Sequence, residues 1–308
     1  MRWNDPLGAL LALRGHLILD GAMATELERH GADLDHPLWS ARLLQEDPEA
    51  IIGVHRSYLE AGADILITAS YQLSAEGLVA CGEDPDQLGE LLRTSVDLAR
   101  ESCRRHREAT GNDRQWLIAL SLGPRSAAVP GGAEYGDQSQ WSTTDLHEWH
   151  RGRTALAAQA GADLLAIETI PSVREGRVLA GQLEEHPGVS GWISFACRDD
   201  RTTTGGDSFG AAVRAVAGSD RVVGVGVNCT PPEYVEALIG VARRVTGKPI
   251  LVYPNSGEAY GADRRWTGVA GGNWAELAGR WWQAGAQAVG GCCRAGPDII
   301  RALGSGIL

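Results

Sequence analysis

Short, continuously apolar segments recur along the chain, each bounded by polar or glycine-rich residues. Eight stand out, at 17–19, 65–68, 117–121, 164–167, 191–196, 222–227, 250–253 and 287–289. Runs of this length without polar alternation are the pattern of strands covered on both faces, as in a parallel sheet. Between them lie longer stretches with helical periodicity, among them 48–60, 87–107, 146–160, 173–185 and 234–245. Three of the apolar segments follow closely related phrases, Ala61-Gly62-Ala63-Asp64, Ala160-Gly161-Ala162-Asp163 and Ala284-Gly285-Ala286-Gln287. Each reads as a helix stopped by a glycine in the left-handed conformation and followed at once by a buried strand.

Strand and helix therefore alternate about eight times, which suits an α/β fold of the (β/α)8 barrel type in a single domain over 1–308. An open doubly wound sheet alternates equally well and stays in contention. Against it, no Gly-x-Gly-x-x-Gly follows the first strand, where 21–25 reads G-A-M-A-T. The glycine-rich stretches 130–136 and 261–272 predict long loops.

Charge narrows the function classes. A formal net charge of -11 and a pI near 5.2 argue against nucleic acid or an anionic membrane as the main partner, because both require a basic surface. Small-molecule substrates are the expectation. No apolar run approaches the ~18 residues of a membrane span. Segment 7–13, with Asp5 before it and Arg14 after it, predicts a helix and not a signal peptide, so the expected location is cytoplasmic. In a reducing compartment the six cysteines are expected to be thiols or ligands rather than disulfides.

Several polar residues fall at the carboxyl ends of the predicted strands: Asp20, Thr68 to Tyr71, Glu168, Asn228 and Cys229, Pro254 and Asn255, and the adjacent pair Cys292 and Cys293. In a barrel that is the face where chemistry is placed. On a closed barrel the sixth and eighth strands are separated only by the seventh, so Cys229 can meet Cys292 and Cys293. Neighbouring residues on a strand point to opposite faces, so the pair can share one ion only if the backbone leaves strand geometry, and Gly290-Gly291 supply that freedom. Thr230, Pro231 and Glu233 read as a capping box, which would set Cys229 at a helix N-terminus and favour its thiolate. Arg294 adds a cation beside the pair. Three thiolates are a soft ligand set suited to Zn(II), and three protein ligands leave a fourth position open for a thiol substrate. A redox-active vicinal pair remains the competing reading of Cys292 and Cys293, and simple packing is the reading for Cys81, Cys103 and Cys197.

The wording L-I-L-D-G-A-M-A-T-E-L-E from Leu17, T-A-S-Y-Q from Thr68, G-V-N-C from Gly226, V-Y-P-N-S-G-E from Val252 and G-G-C-C-R from Gly290 resembles the homocysteine S-methyltransferase family. The resemblance implies a (β/α)8 barrel, zinc held by Cys229, Cys292 and Cys293, and methyl transfer to the homocysteine thiolate. It implies that Glu168 binds the homocysteine amino group with Asp20 close by. The amides of Gly21, Ala22 and Met23 are then expected to face the substrate carboxylate, and Ser70, Tyr71 and Asn255 to complete the substrate site. The motif wording is most similar to the branch that uses S-methylmethionine, with S-adenosylmethionine as a poorer donor. Both donors are sulfonium cations, which the charges and ring faces of Tyr71, Glu134, Tyr135, Tyr253 and Glu258 are suited to hold. One departure is Arg125 after Ser121-Leu122-Gly123-Pro124, where close relatives are expected to carry tyrosine.

Overall fold

The structure is a computed structural model that describes residues 5–34, 38–128, 140–260, 266–267 and 271–306. The loop expected at 130–136, with Glu134 and Tyr135, lies outside the described residues, as does most of 261–272.

All eight apolar segments form strands: β1 (Leu17–Ile18), β2 (Ile65–Ile67), β3 (Leu117–Leu122), β4 (Leu164–Ile170), β5 (Gly191–Phe195), β6 (Val222–Asn228), β7 (Ile250–Tyr253) and β8 (Ala288–Val289). Every neighbouring pair is parallel, and the strands follow one another in sequence order around the sheet, with β8 beside β1. A parallel bridge between Leu19 and Ile65 joins β1 to β2 and brings the ring to closure. This order has no reversal point, so the doubly wound alternative falls and the (β/α)8 barrel stands.

The connecting helices include Pro48–Ala61, Leu88–Thr110, Thr143–Gln159, Val173–Glu184 and Pro232–Val245. The three repeated phrases behave as expected, with Gly62, Gly161 and Gly285 all in the left-handed region at φ 102°, 87° and 110°. Inside the barrel, Leu17, Leu19, Ile65, Leu117, Leu164, Trp192 and Leu251 form one buried cluster with Leu7, Leu10 and Leu11. The last three come from the helix Pro6–Arg14, whose apolar side therefore packs against the barrel interior. A second and larger cluster fills the layer between sheet and helices. With the interior filled by side chains, chemistry is confined to the mouth.

Candidate active site

The two sulfur-bearing segments reach the mouth by different backbone devices. β6 ends at Asn228, and Cys229 follows at φ 48°, a left-handed turn that swings its side chain out of strand alternation. Thr230 does not cap the next helix as the sequence suggested. That helix starts at Pro232 with Pro231 at its N-cap, and the Thr230 hydroxyl accepts from the Cys197 amide and donates to the Asn228 carbonyl, both at 2.9 Å. After β8 the chain continues through Gly290 and Gly291, neither of which has a positive φ. Their smallness is needed for space. A Cβ on Gly290 would lie 2.5 Å from the Leu19 Cβ, and one on Gly291 2.2 Å from the Ala295 Cβ. The Cys292 amide then donates to the Pro254 carbonyl at 2.7 Å, and the left-handed residue is Arg294, at φ 64°.

These turns gather Cys229, Cys292 and Cys293 so that their Sγ atoms all lie within 4.8 Å of one another. Cys229 is 3.8 Å from Cys293 and 2.6 Å from Cys292, sulfur to sulfur. A tetrahedral zinc with Zn–S bonds of ~2.3 Å spaces its sulfurs by about 3.8 Å, so one edge of the triangle already fits and the Cys229–Cys292 edge must open. None of the six cysteines is in a disulfide. Hydrogen bonds to Cys229 and Cys293, followed by burial, push the Cys292 thiol well above its ordinary value. Three thiolates this close repel, and a divalent cation among them is what offsets that repulsion. The donor set therefore fits a soft metal ion.

A cavity opens beside the sulfurs, lined by Gly21, Ala22, Met23, Trp39, Tyr71, Glu168, Asn228 and the three cysteines, among others. Glu168 projects into it from an irregular part of β4: the pairing register with β5 shifts between Ile167 and Ile170, and Thr169 is left-handed at φ 62°. The carboxylate accepts from the Ser121 hydroxyl, and the Tyr253 hydroxyl lies close by. Burial raises its pKa to about 7 against the opposing effect of the Ser121 hydrogen bond, and the neighbouring Cys229 adds to the rise. The Tyr253 hydroxyl accepts from Trp192 Nε1 at 2.9 Å and donates to Ser194, whose own hydrogen goes to Asn228.

The remaining sequence-derived residues sort by geometry. Asp20 stands behind the cavity wall, where its Oδ2 accepts from the Ile67 amide at 2.8 Å; burial raises its pKa well above the usual carboxylate range. The Ser70 hydroxyl is turned into the fold, donating to the Ser121 carbonyl at 2.8 Å and pairing with Thr68. Asn255 is half-buried and outside the cavity lining, with its amide donating to the Thr230 carbonyl. Of the three expected amide donors, that of Ala22 is taken by the Ala295 carbonyl at 3.1 Å. Tyr71 lines the cavity with its ring against Trp39, centroids 6.4 Å apart, and a Cβ on Gly123 would come within 2.6 Å of that ring. Arg294 and Glu258 pair with each other at 2.6 Å, so the guanidinium is turned to a carboxylate and not left for the thiols. The Arg125 guanidinium stacks over Trp141 at 4.9 Å. Sequence reasoning did not single out Ser121, Ser194, Thr169 or Trp39 as site residues, and Asn228 was noted only as lying at a strand end. Their part in the site depends on contacts between strands, which leave no local signature.

A sequence profile of the homocysteine S-methyltransferase family matches residues 17–306. The chain is 42% identical over 306 residues to homocysteine S-methyltransferase 2 of Arabidopsis thaliana, covering 94% of this chain and 92% of that one. It is also 42% identical over 306 residues to a selenocysteine Se-methyltransferase of Brassica oleracea var. italica, covering 94% and 88%. The crystal structure of the metallated form of the homocysteine methyltransferase MmuM from Escherichia coli superposes with a TM-score of 0.87 at 39% identity, covering 97% of this chain and 99% of that one. With barrel, thiol cluster and sequence in agreement over nearly the whole length, the chain belongs to the homocysteine S-methyltransferase family.

Proposed function

We propose that the protein transfers a methyl group from a sulfonium donor, S-methylmethionine and less well S-adenosylmethionine, to the thiolate of L-homocysteine, with Zn(II) held by Cys229, Cys292 and Cys293. The observation that carries this reading is the convergence of three thiols with a buried carboxylate, Glu168, around one cavity. Held by these three sulfurs, zinc would supply the Lewis acidity that keeps a substrate thiol ionised near neutral pH. Glu168 pairs with the substrate ammonium and so aims the sulfur toward the cysteines, with the Ser121 hydroxyl holding the carboxylate in place. Trp39 and Tyr71 offer ring faces to a sulfonium on the far side. The new bond forms between substrate sulfur and methyl carbon while the donor's carbon–sulfur bond breaks, and the donor leaves as a neutral thioether. No general acid is required; alignment and exclusion of water are the tasks left to the protein. The chain acts as a single barrel over 1–308 in the cytoplasm, on small molecules alone.

The test is zinc content of purified protein together with methionine formation from homocysteine and S-methylmethionine, S-adenosylmethionine or betaine. Near one zinc per chain with turnover on the sulfonium donors is expected. Cys229→Ser, Cys292→Ser and Cys293→Ser should each lower turnover by at least ~100-fold while the protein stays folded, since removing one of three ligands disables the site. Full activity in any of the three would refute the reading. Turnover on betaine alone would refute the donor assignment and leave the rest.

A further inference from the structure

We infer that Asn228 is a positioning residue that couples the acceptor-binding carboxylate to the metal-binding thiols; the inference rests on the function proposed above. Its side chain is 1% exposed, yet it touches both halves of the site. The Oδ1 atom accepts from the Thr169 amide at 2.7 Å and from the Ser194 hydroxyl at 2.8 Å. The Nδ2 atom donates to the Thr169 hydroxyl at 2.8 Å and to the Cys292 sulfur at 3.9 Å. Every polar atom of the amide is therefore engaged, and each contact bears on the chemistry.

Toward the acceptor side, Thr169 is held at φ 62°, a conformation that a β-branched residue rarely adopts, directly after Glu168. The two bonds from Asn228 pin both the backbone and the hydroxyl of Thr169, and so fix where the adjacent Glu168 carboxylate points. Ser194 extends the link, because it also bonds Tyr253, whose hydroxyl lies beside Glu168. Toward the metal side, an amide N–H aimed at a thiolate withdraws electron density from the sulfur and orients its lone pairs. One side chain thus sets the angle of a carboxylate and the donor strength of a thiolate, the two groups between which the substrate's amine and sulfur must fit. A shape-conserving substitution separates the two effects. Asn228→Asp keeps an oxygen for Thr169 and Ser194 but removes the N–H directed at Cys292, whereas Asn228→Ala removes both.

The experiment uses the full-length protein in two preparations. In the first, Co(II) replaces zinc and the thiolate-to-cobalt charge-transfer band is recorded. Both variants should move the band to longer wavelength, because a sulfur without its N–H partner gives up an electron more easily. Affinity for zinc, measured by competition with a chromophoric chelator, should fall about 10-fold in Asn228→Ala. In the second, metal-free protein is titrated with L-2-aminobutyrate, which carries the ammonium and carboxylate of homocysteine but no thiol. Asn228→Ala should bind it about 10-fold more weakly, and Asn228→Asp within about 3-fold of the parent, the size of effect expected for an outer hydrogen-bond partner. An unshifted band together with unchanged 2-aminobutyrate affinity would overturn the inference, as would a lowered melting temperature as the only change, which is the signature of a merely structural role. Should Asn228→Ala fail to fold, Asn228→Asp carries the metal half, and an unshifted band there overturns it. A parent protein with no thiolate band at all would overturn the metal reading itself, an outcome distinct from a parent band that the variants leave in place.

Discussion

Glu168 sits where its own titration becomes part of binding. With a pKa pushed to about 7 by burial, it is half-protonated in the free protein at neutral pH, whereas an ammonium against it favours the carboxylate. Affinity for L-2-aminobutyrate is therefore expected to weaken about tenfold per pH unit below 7 and to level off above it, with a proton released on binding. Calorimetry in two buffers of different ionisation heat reads both quantities, and Glu168→Gln should abolish the slope; a parent affinity flat from pH 6 to 8 would refute the assignment. The sign for stability is opposite. A folded-state pKa raised from 4.5 means that this group's contribution is full below about 4.5 and is lost as pH rises through about 7. How legible such residues were in the sequence follows from their chemistry. Cysteines are few, and three at strand ends can be recognised without coordinates. Thr169 gives no sign of its left-handed backbone, and Asn228 declares its role only once β4, β5 and β6 are side by side.

At the scale of elements, apolar runs announced the strands because buried parallel strands need nothing else, and left-handed glycines announced where helices end. How the ring closes was hidden. The seam between β1 and β2 has a single ladder bridge, and it is reinforced by two aspartates. Asp64 accepts from the Ile18 amide at 2.9 Å while its own amide donates to the Ile18 carbonyl, and Asp20 does the same for Ile67 and Ile65. In sequence, Asp64 read as the tail of a helix-to-strand phrase, since its partner lies 46 positions away. Its carboxylate also pairs with Arg14 of the helix that packs on the barrel interior, and with Arg114 ahead of β3. Asp64→Ala would strand a buried amide and leave Arg14 without its carboxylate. A loss of about 3 kcal/mol is expected, with Asp64→Asn between it and the parent. Urea midpoints measure it, and faster exchange of the Ile18 amide should accompany it; an unchanged midpoint in Asp64→Ala would show that the seam is held elsewhere.

For the whole molecule, the barrel and the thiol cluster make separable contributions to stability. The core is supplied by the barrel interior and the helix layer, and neither cluster includes Cys229, Cys292 or Cys293. The three sulfurs come from segments following β6 and β8, on either side of β7, so a shared ion ties together strands that already pair without it. Metal removal should then lower stability without unfolding the chain. An ion present at about a hundredfold over its dissociation constant stabilises the folded state by about 2.7 kcal/mol. At the usual unfolding entropy per residue, a chain of 308 residues converts this to roughly 4 °C in melting temperature. Circular dichroism melts of zinc-loaded and chelator-treated protein test it, with the far-UV spectrum at 25 °C expected to be the same in both. Collapse of that spectrum on chelation would mean that the metal holds the barrel together. Identical melting temperatures would mean that no ion binds the three thiols, and the activity assigned to them would fall with it.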